Sequence, residues 1–552
     1  MLRLMLCTLL GSSFAQLPAS DDVIRLVPKP SSVIFQDGAR NLLLNEADFS
    51  ITGTTSSANQ DILDFNCQDT MTEIFKRTSA TVEAEDDSSI PLTSLLLTIL
   101  NDDSDKVYPS AEMDESYSIS LTAPSATLTA NSVFGAVKGL ETFSQLFQMN
   151  RAIQIRSGEN LQISDKPRFP YRGLMLDPAR HFETVAAIKS SVDAMAQNKL
   201  NVLHLHLTDG EAFAINTDDF SSFPLLSQKG AYAPSLSYTA SDFTKIVDHA
   251  RLRGVRVIPE VDAPAHMASW AQGYEELLTA CPTVNPHPEW PTYYSPGDVT
   301  NEKLYDALDE IVGNLAKVFV DELWHVGGDE PQLDCWEAND DIVAYMKAHN
   351  MADSTELYSM FENRYSKIVN KYGKKVVGWR EIGTLAKLHP ATTLINVWDG
   401  NDKLQGFLDD GYSAIVSSNW YLNNGGDWTS YYNDEPMSYA LNATDDQKEL
   451  VLGGQACMWS SAFTANSNMV SAIWPNAMAM VERLWSADFS ESIEQVRTRM
   501  SQHRCRMIRR GVGAAPIAED YCDSDIYVRK SNTFFYPKTG FPIWLDNDTP
   551  PP

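Results

Sequence analysis

Residues 172–209 read RGLMLDPARHFETVAAIKSSVDAMAQNKLNVLHLHLTD. Two short apolar runs, RGLMLD and VLHLHLTD, each end on an aspartate, Asp177 and Asp209, and the spacing between them predicts an amphipathic helix over 184–198. Short apolar strands joined through a helix form a βαβ unit with parallel strands. The pattern continues downstream with a helix over 241–253, VRVIPEVD, a helix over 301–317 and LWHVGGDE. Helices between 340 and 372 follow, then KVVGWRE, TLINVWD, AIVSSNWY, VLGGQACMW and a helix from Pro475 to about Ser486. Eight strands in this order predict an α/β fold, a (β/α)8 TIM barrel, because a doubly wound sheet usually has fewer.

Upstream the texture changes. From Val23 to about Ser164, alternating stretches such as SYSISL and ATLTA surround one helical segment, Phe134 to Met149, as expected of a smaller α+β domain. The proline-bearing segment DKPRFPYRG marks the boundary. The expected division is a signal peptide over 1–15, an N-terminal α+β domain over 16–165, the barrel over 166–522 and a C-terminal extension over 523–552.

The chain of 552 residues is 43% apolar, with 12 Trp, which is ample for a packed core. Its 73 acidic and 43 basic side chains give a net charge of -30, which repels nucleic-acid phosphates and anionic membranes. A sequence pI near 4.6 fits an acidic vesicle, where self-repulsion fades. The start, MLRLMLCTLLGSSFAQ, has the early Arg, short apolar run and small-residue cleavage site of a signal peptide, so a secreted or lysosomal protein is expected. No later apolar run approaches the ~20 residues of a membrane span, and no membrane anchor is expected. Cys505 and Cys522 bracket a loop containing RGVGAAP, Cys281 and Cys335 lie in loop-like sequence, and Cys457 sits in an apolar run. Sequence alone leaves their connectivity open. No cysteine or histidine spacing predicts a metal or cofactor, and His204, His206 and His325 fall inside strands as supporting residues. Sequons stand at Asn442 and Asn547.

The acids carry the chemistry. Asp177, Asp209, Asp262, Asp329, Glu330, Glu381 and Asp399 all follow the C-terminal ends of strands, where barrel enzymes build their active sites. Within HVGGDEP, Asp329 and Glu330 would point opposite ways on a regular strand, but the two preceding glycines relax the backbone so that both can reach one pocket. Paired carboxylates suit glycosidic bonds, which need a proton on the leaving oxygen and stabilisation of a developing cation.

Together RGLMLDPARHF, KLNVLHLHLTD, GVRVIPEVDAPAH, HVGGDEP, the Trp-bearing strand ends and ERLW resemble the family 20 glycoside hydrolases, the β-N-acetylhexosaminidases, from about Val27 to Cys522. The front domain resembles theirs through VPKPSSV and DESYSISLTAPSATLTANSVFGAVKGLETFSQLF. The resemblance implies exo-acting, retaining removal of terminal N-acetylglucosamine or N-acetylgalactosamine by substrate-assisted catalysis. Glu330 is then the general acid and base, and Asp329 orients the 2-acetamido group as its oxygen attacks the anomeric carbon. It assigns substrate contacts to Arg172, Asp209 and His266, an aromatic box to Trp379, Trp398 and Trp459, an acetamide contact to Tyr421 and a hydroxyl contact to Asn423. It also implies disulfides Cys281–Cys335 and Cys505–Cys522, and a homodimer.

Three positions depart from the family pattern: Gly210 after LTD, Gln455 in GGQAC, and Ser461 where an acid grips the outer hydroxyls of the terminal sugar. They motivate an alternative, a catalytically weak sugar-binding or adhesion protein on the same scaffold. The spaced DxxDxDxE motif of the family 18 chitin-cleaving enzymes is absent from the sequence.

Overall fold

The structure, a computed structural model, describes residues 26–35, 42–56, 58–76, 90–101, 107–147, 154–155, 160–218, 222–281, 295–461, 466–518 and 522. The signal segment, the extension after 522 and Asn547 lie outside these residues.

The front part is a six-stranded sheet in the order Ser32–Phe35, Asn160–Asp165, Tyr117–Thr122, Ser125–Ala130, Ser94–Ile99, Ser50–Thr52. Its strands alternate as the sequence does: Tyr117, Ile119 and Leu121 are buried while Ser118 and Thr122 face out. The buried side packs on the helix Val133–Gln145, whose start is capped by the Ser132 hydroxyl accepting the Gly135 N–H. A further helix, Gln60–Met71, packs on that one. The sequence signals it weakly, because in QDILDFNCQDTM only Ile62, Leu63 and Thr70 are buried.

The barrel closes from eight parallel strands: Tyr171–Leu176, Val202–His206, Arg256–Glu260, Leu323–His325, Lys375–Trp379, Thr393–Val397, Ser413–Val416 and Val451–Met458. Every residue of the first three is buried, since helices cover the outside and side chains fill the inside. The first expected helix is present as Val185–Gln197, capped by Thr184, and the later ones include Ala240–Arg251, Glu302–Leu315 and Asn476–Trp485.

Arg172 requires a correction. It stands at the beginning of the first barrel strand, the end remote from Asp177, and is wholly buried against the front domain. Its guanidinium donates to both Glu115 oxygens at 2.7 Å and to the carbonyls of Phe169 and Lys199, and it lies 4.9 Å from the Trp485 ring. Lys138 reaches the same Glu115 at 3.6 Å and Asn201 donates to it at 3.1 Å. Beside them Lys199 pairs with Asp165 at 3.1 Å. Arg172 therefore ties two domains together and does not touch a sugar pocket.

Disulfides join Cys281 to Cys335 and Cys505 to Cys522, leaving Cys67 and a buried Cys457 free among the described residues. Asn442 lies in an exposed turn before the helix Asp445–Glu449.

Glu115→Ala should destabilise the protein by about 3–5 kcal/mol, because it leaves the Arg172 cation buried without its partner. Urea unfolding followed by tryptophan fluorescence measures this, and a change below about 1 kcal/mol, the size of an exposed pair, would mean that the tie is not closed.

Candidate active site

The fourth barrel strand ends at His325, and the chain turns at once through Gly327 and Gly328, with φ of 70° and 87°. Left-handed backbone favours glycine, and here space demands it as well: a Cβ on Gly327 would lie 1.8 Å from Asp262 Oδ1. The same Asp262 oxygen accepts the Gly328 N–H at 2.9 Å, while the Tyr358 hydroxyl donates to the Gly328 carbonyl at 2.6 Å. Beyond this braced turn Asp329 is buried, whereas Glu330, itself at φ 46°, keeps its side chain 55% exposed. The glycines thus send adjacent acids to one place at different depths.

His266, on the loop after the third strand and also left-handed at φ 56°, faces both acids. Its Nε2 lies 3.4 Å from Glu330 Oε2 and 3.7 Å from Asp329 Oδ2, and its Nδ1 is 3.2 Å from Asp209 Oδ1. Burial alone would lower the imidazole, but Asp209 and Asp329 raise it well above the usual histidine range. The two acids shift in opposite directions. Burial raises Asp329 despite His266, whereas the hydrogen bond from His266 lowers Glu330. A carboxyl beside them, Glu381, is pushed up to about 7 by burial, with the Asp329 charge adding to the effect.

Asp209 follows the second strand and anchors the opposite wall. It binds His206 Nε2 at 2.8 Å and the guanidinium of Arg180. Arg180 also reaches Asp177 at 3.3 Å and Glu211 at 3.1 Å, and lies 4.9 Å from the Trp459 ring. It is the arginine of this pocket. The sequence reading passed over it, although its place three residues after Asp177 at a C-terminal strand end pointed to it.

Trp379, Trp398, Tyr421 and Trp459 share one apolar cluster with Met175 and Cys457. Trp459 lies 5.8 Å from Trp379 and 6.1 Å from Tyr421, ring centre to ring centre. Indole nitrogens fix two of the rings: Trp379 donates to Glu260 at 2.8 Å and Trp398 to Glu381 at 3.0 Å. These flat apolar faces beside a carboxylate pair can hold a pyranose ring. Asn423 follows Tyr421 on the same loop, its amide nitrogen donating to Asn424 at 3.2 Å.

Beneath this floor Glu260 accepts from or pairs with His206 at 2.6 Å, His204 at 2.9 Å and His325 at 3.2 Å. The sets His204–Glu260–His325 and His266–Asp329–Glu330 have ligand-like spacing, but each is already linked by ring-to-carboxylate contacts. Gln455 belongs to the barrel interior, where Tyr171 donates to its oxygen at 3.0 Å and His204 lies 3.1 Å from its nitrogen. Ser461 is exposed, and its neighbour Ser460 is the residue bound to Asp177.

Comparison with known proteins agrees with this geometry. Residues 169–488 match the description "Glycosyl hydrolase family 20, catalytic domain", and residues 26–146 match "beta-acetyl hexosaminidase like". The chain is 38% identical over 448 residues to beta-hexosaminidase subunit beta of Felis catus, covering 80% of this chain and 82% of the relative. To the Homo sapiens subunit beta it is 36% identical over 450 residues, with coverage of 80% and 79%. Among solved structures, the chitobiase of Flavobacterium johnsoniae superposes with a TM-score of 0.74 at 29% identity, covering 89% of this chain and 73% of that one. The exo-β-N-acetylglucosaminidase of Vibrio harveyi, at 22% identity and a TM-score of 0.75, shares the fold over 90% of this chain and 78% of its own. With its catalytic profile, its relatives and its Gly-Gly-Asp-Glu turn in agreement, the chain belongs to glycosyl hydrolase family 20.

Proposed function

We propose that this family 20 hydrolase is an exo-acting β-N-acetylhexosaminidase that removes terminal GlcNAc or GalNAc with retention, the substrate's own acetamide serving as nucleophile. The observation that carries the reading is the pairing of a buried Asp329 with an exposed Glu330 on one turn, both facing His266. Depth divides their work. Glu330, toward solvent, is placed to protonate the leaving oxygen and then to activate water. Asp329, buried and near enough to Tyr421 for its charge to add to that hydroxyl's upward shift, is placed to hold the acetamide nitrogen as positive charge develops on it. Trp379, Trp398 and Trp459 would wall the sugar and acetamide methyl, Tyr421 would donate to the acetamide oxygen, and Asn423 would take a hydroxyl.

Arg180 replaces Arg172 in this reading as the group that holds sugar hydroxyls, with Asp209 fixing its orientation. The protein acts on a carbohydrate. Its net charge of -30 and acidic pair suit a lysosomal or secreted setting, and the relatives' description as beta-hexosaminidase subunits supports assembly with a second chain, here a second copy of itself.

The shifts of the acids make the profile of activity against pH informative. Asp329 works as an anion, so the rate falls on the acid side as it gains a proton; Glu330 works as an acid, so the rate falls on the alkaline side as its proton is lost. His266 lowers both groups. His266→Gln should therefore move both limbs of kcat/KM upward by about one pH unit on an alkyl glycoside, alongside a lower maximum. A profile that stays in place or moves down would remove His266 from this role.

Leaving-group chemistry separates the acids. Glu330→Gln should keep much of its bond-cleavage rate on an aryl N-acetylglucosaminide with a very acidic phenol and lose nearly all activity on natural glycosides. Asp329→Asn should be impaired on both, by about 10²–10³-fold as for lost electrostatic stabilisation. Fluorination of the acetamide should slow the wild type. Single-turnover cleavage of a substrate series measures all three, and a glycosyl ester trapped on a protein carboxylate would show that the nucleophile is not the acetamide.

A further inference from the structure

Beneath the catalytic turn runs the helix Ser354–Lys371, and two of its side chains one turn apart meet the turn from below, Tyr358 and Glu362. Both are fully buried. Tyr358 donates its only O–H to the Gly328 carbonyl at 2.6 Å. Neither oxygen of Glu362 makes a hydrogen bond to the described residues. A methyl on Gly328 would sit 3.1 Å from Glu362 Oε1 and 3.1 Å from the Tyr358 hydroxyl, so both oxygens lie against the same Cα, one residue before Asp329.

A carboxylate in such a place has lost water, and the one hydroxyl near it, that of Tyr358, is given to the Gly328 carbonyl, so the group keeps its proton instead. The charged groups around this spot are acids from other elements: Asp329 on the turn, Asp262 after the third strand and Glu381 after the fifth. Burial pushes the Glu362 carboxyl well above its ordinary range, Tyr358 opposes this, and Asp329 adds to it. Once ionised, a carboxylate competes for a hydroxyl about twice as strongly as a neutral carbonyl does.

We propose that Glu362 is a positioning residue acting through Tyr358: neutral, it leaves the hydroxyl on the Gly328 carbonyl and the catalytic turn braced; ionised, it takes that hydroxyl and releases the turn. The single proton that moves between acceptors is that of the Tyr358 hydroxyl bond; no covalent step is involved. The device keeps the turn ordered at acid pH and loosens it as pH rises. It rests on the reading of Asp329 as the working carboxylate.

The test uses the full chain and an aryl N-acetylglucosaminide with a very acidic phenol, so that proton delivery by Glu330 does not set the alkaline limb. Glu362→Gln, always neutral, should stay within about threefold of wild-type kcat/KM on the acid side and hold that rate about one pH unit further into the alkaline range. Tyr358→Phe should run at about a tenth of the wild type's acid-side rate, the effect of one lost hydrogen bond, with no limb of this origin, so that the wild type falls toward it as pH rises. The double variant should behave as Tyr358→Phe alone. Glu362→Leu, also uncharged, should lose the limb too and serves if Glu362→Gln does not fold. An alkaline limb unchanged in Glu362→Gln, or a double variant differing from Tyr358→Phe, overturns the proposal.

A second measurement needs no activity. A group raised on folding costs no stability below its ordinary value of 4.5, and the folded state then loses stability as pH climbs from there toward the raised value. The urea midpoint of the wild type should therefore fall more steeply above that pH than that of Glu362→Gln. Equal slopes overturn the proposal even if the enzyme proves inactive on the aryl glycoside, an outcome that would instead count against the catalytic reading.

Discussion

Two acids adjacent in sequence can serve one reacting centre only if the backbone between strand and loop abandons the extended form, and the Gly327–Gly328 turn provides that departure. The turn is not merely permitted. Asp262 fills the space where a side chain would stand and binds the Gly328 N–H, Tyr358 binds the carbonyl, and the Trp379 N–H reaches the Gly327 carbonyl at 2.9 Å. Contacts from three elements fix one peptide segment, and the acids beyond it inherit that order. The barrel contributes by bringing these elements to the same end.

Negative charge is concentrated at that end. Asp262, Asp329, Glu362 and Glu381 are all raised, each by burial first. Such a group of carboxyls cannot ionise together, because each new charge makes the next more costly. His266 meets Asp209, Glu330 and Asp329, Arg180 meets Asp209 and Arg380 meets Glu381, while Asp262 and Glu362 rely on holding protons. The arrangement divides the pocket into an ion-paired rim and a largely uncharged support, which favours work at acid pH.

Much of this was legible beforehand because parallel strands and their helices leave strong periodic signals. All eight strands and the principal helices of the barrel stand where the sequence put them, within a few residues. The resemblance led to the turn and the tryptophans, and HVGGDEP carried its own physical reason. Arg172 failed for a reason of direction: a residue opening a barrel strand faces the end opposite the active site, whereas Arg180 follows the strand's C-terminal end. Gln455 likewise lies within the barrel and contacts Tyr171 and His204. Glu362 left no trace in the pattern, because on the helix Ser354–Lys371 a single acid on a buried face is distinguishable from a surface acid only once the face is known.

The tie between Arg172, Lys199 and the acids Glu115 and Asp165 bears on how such a protein can be assembled over evolution. Its cations come from the barrel and its anions from the front domain or its last strand, so half of each pair is encoded on either side of the junction. A gene fusion that brought a foreign front domain to this barrel would bury two positive charges without their counterions, and the reverse exchange would leave Asp165 without its cation and Glu115 with Lys138 alone. Exchange of either part keeps the junction's stability only where paired substitutions preserve the charge match.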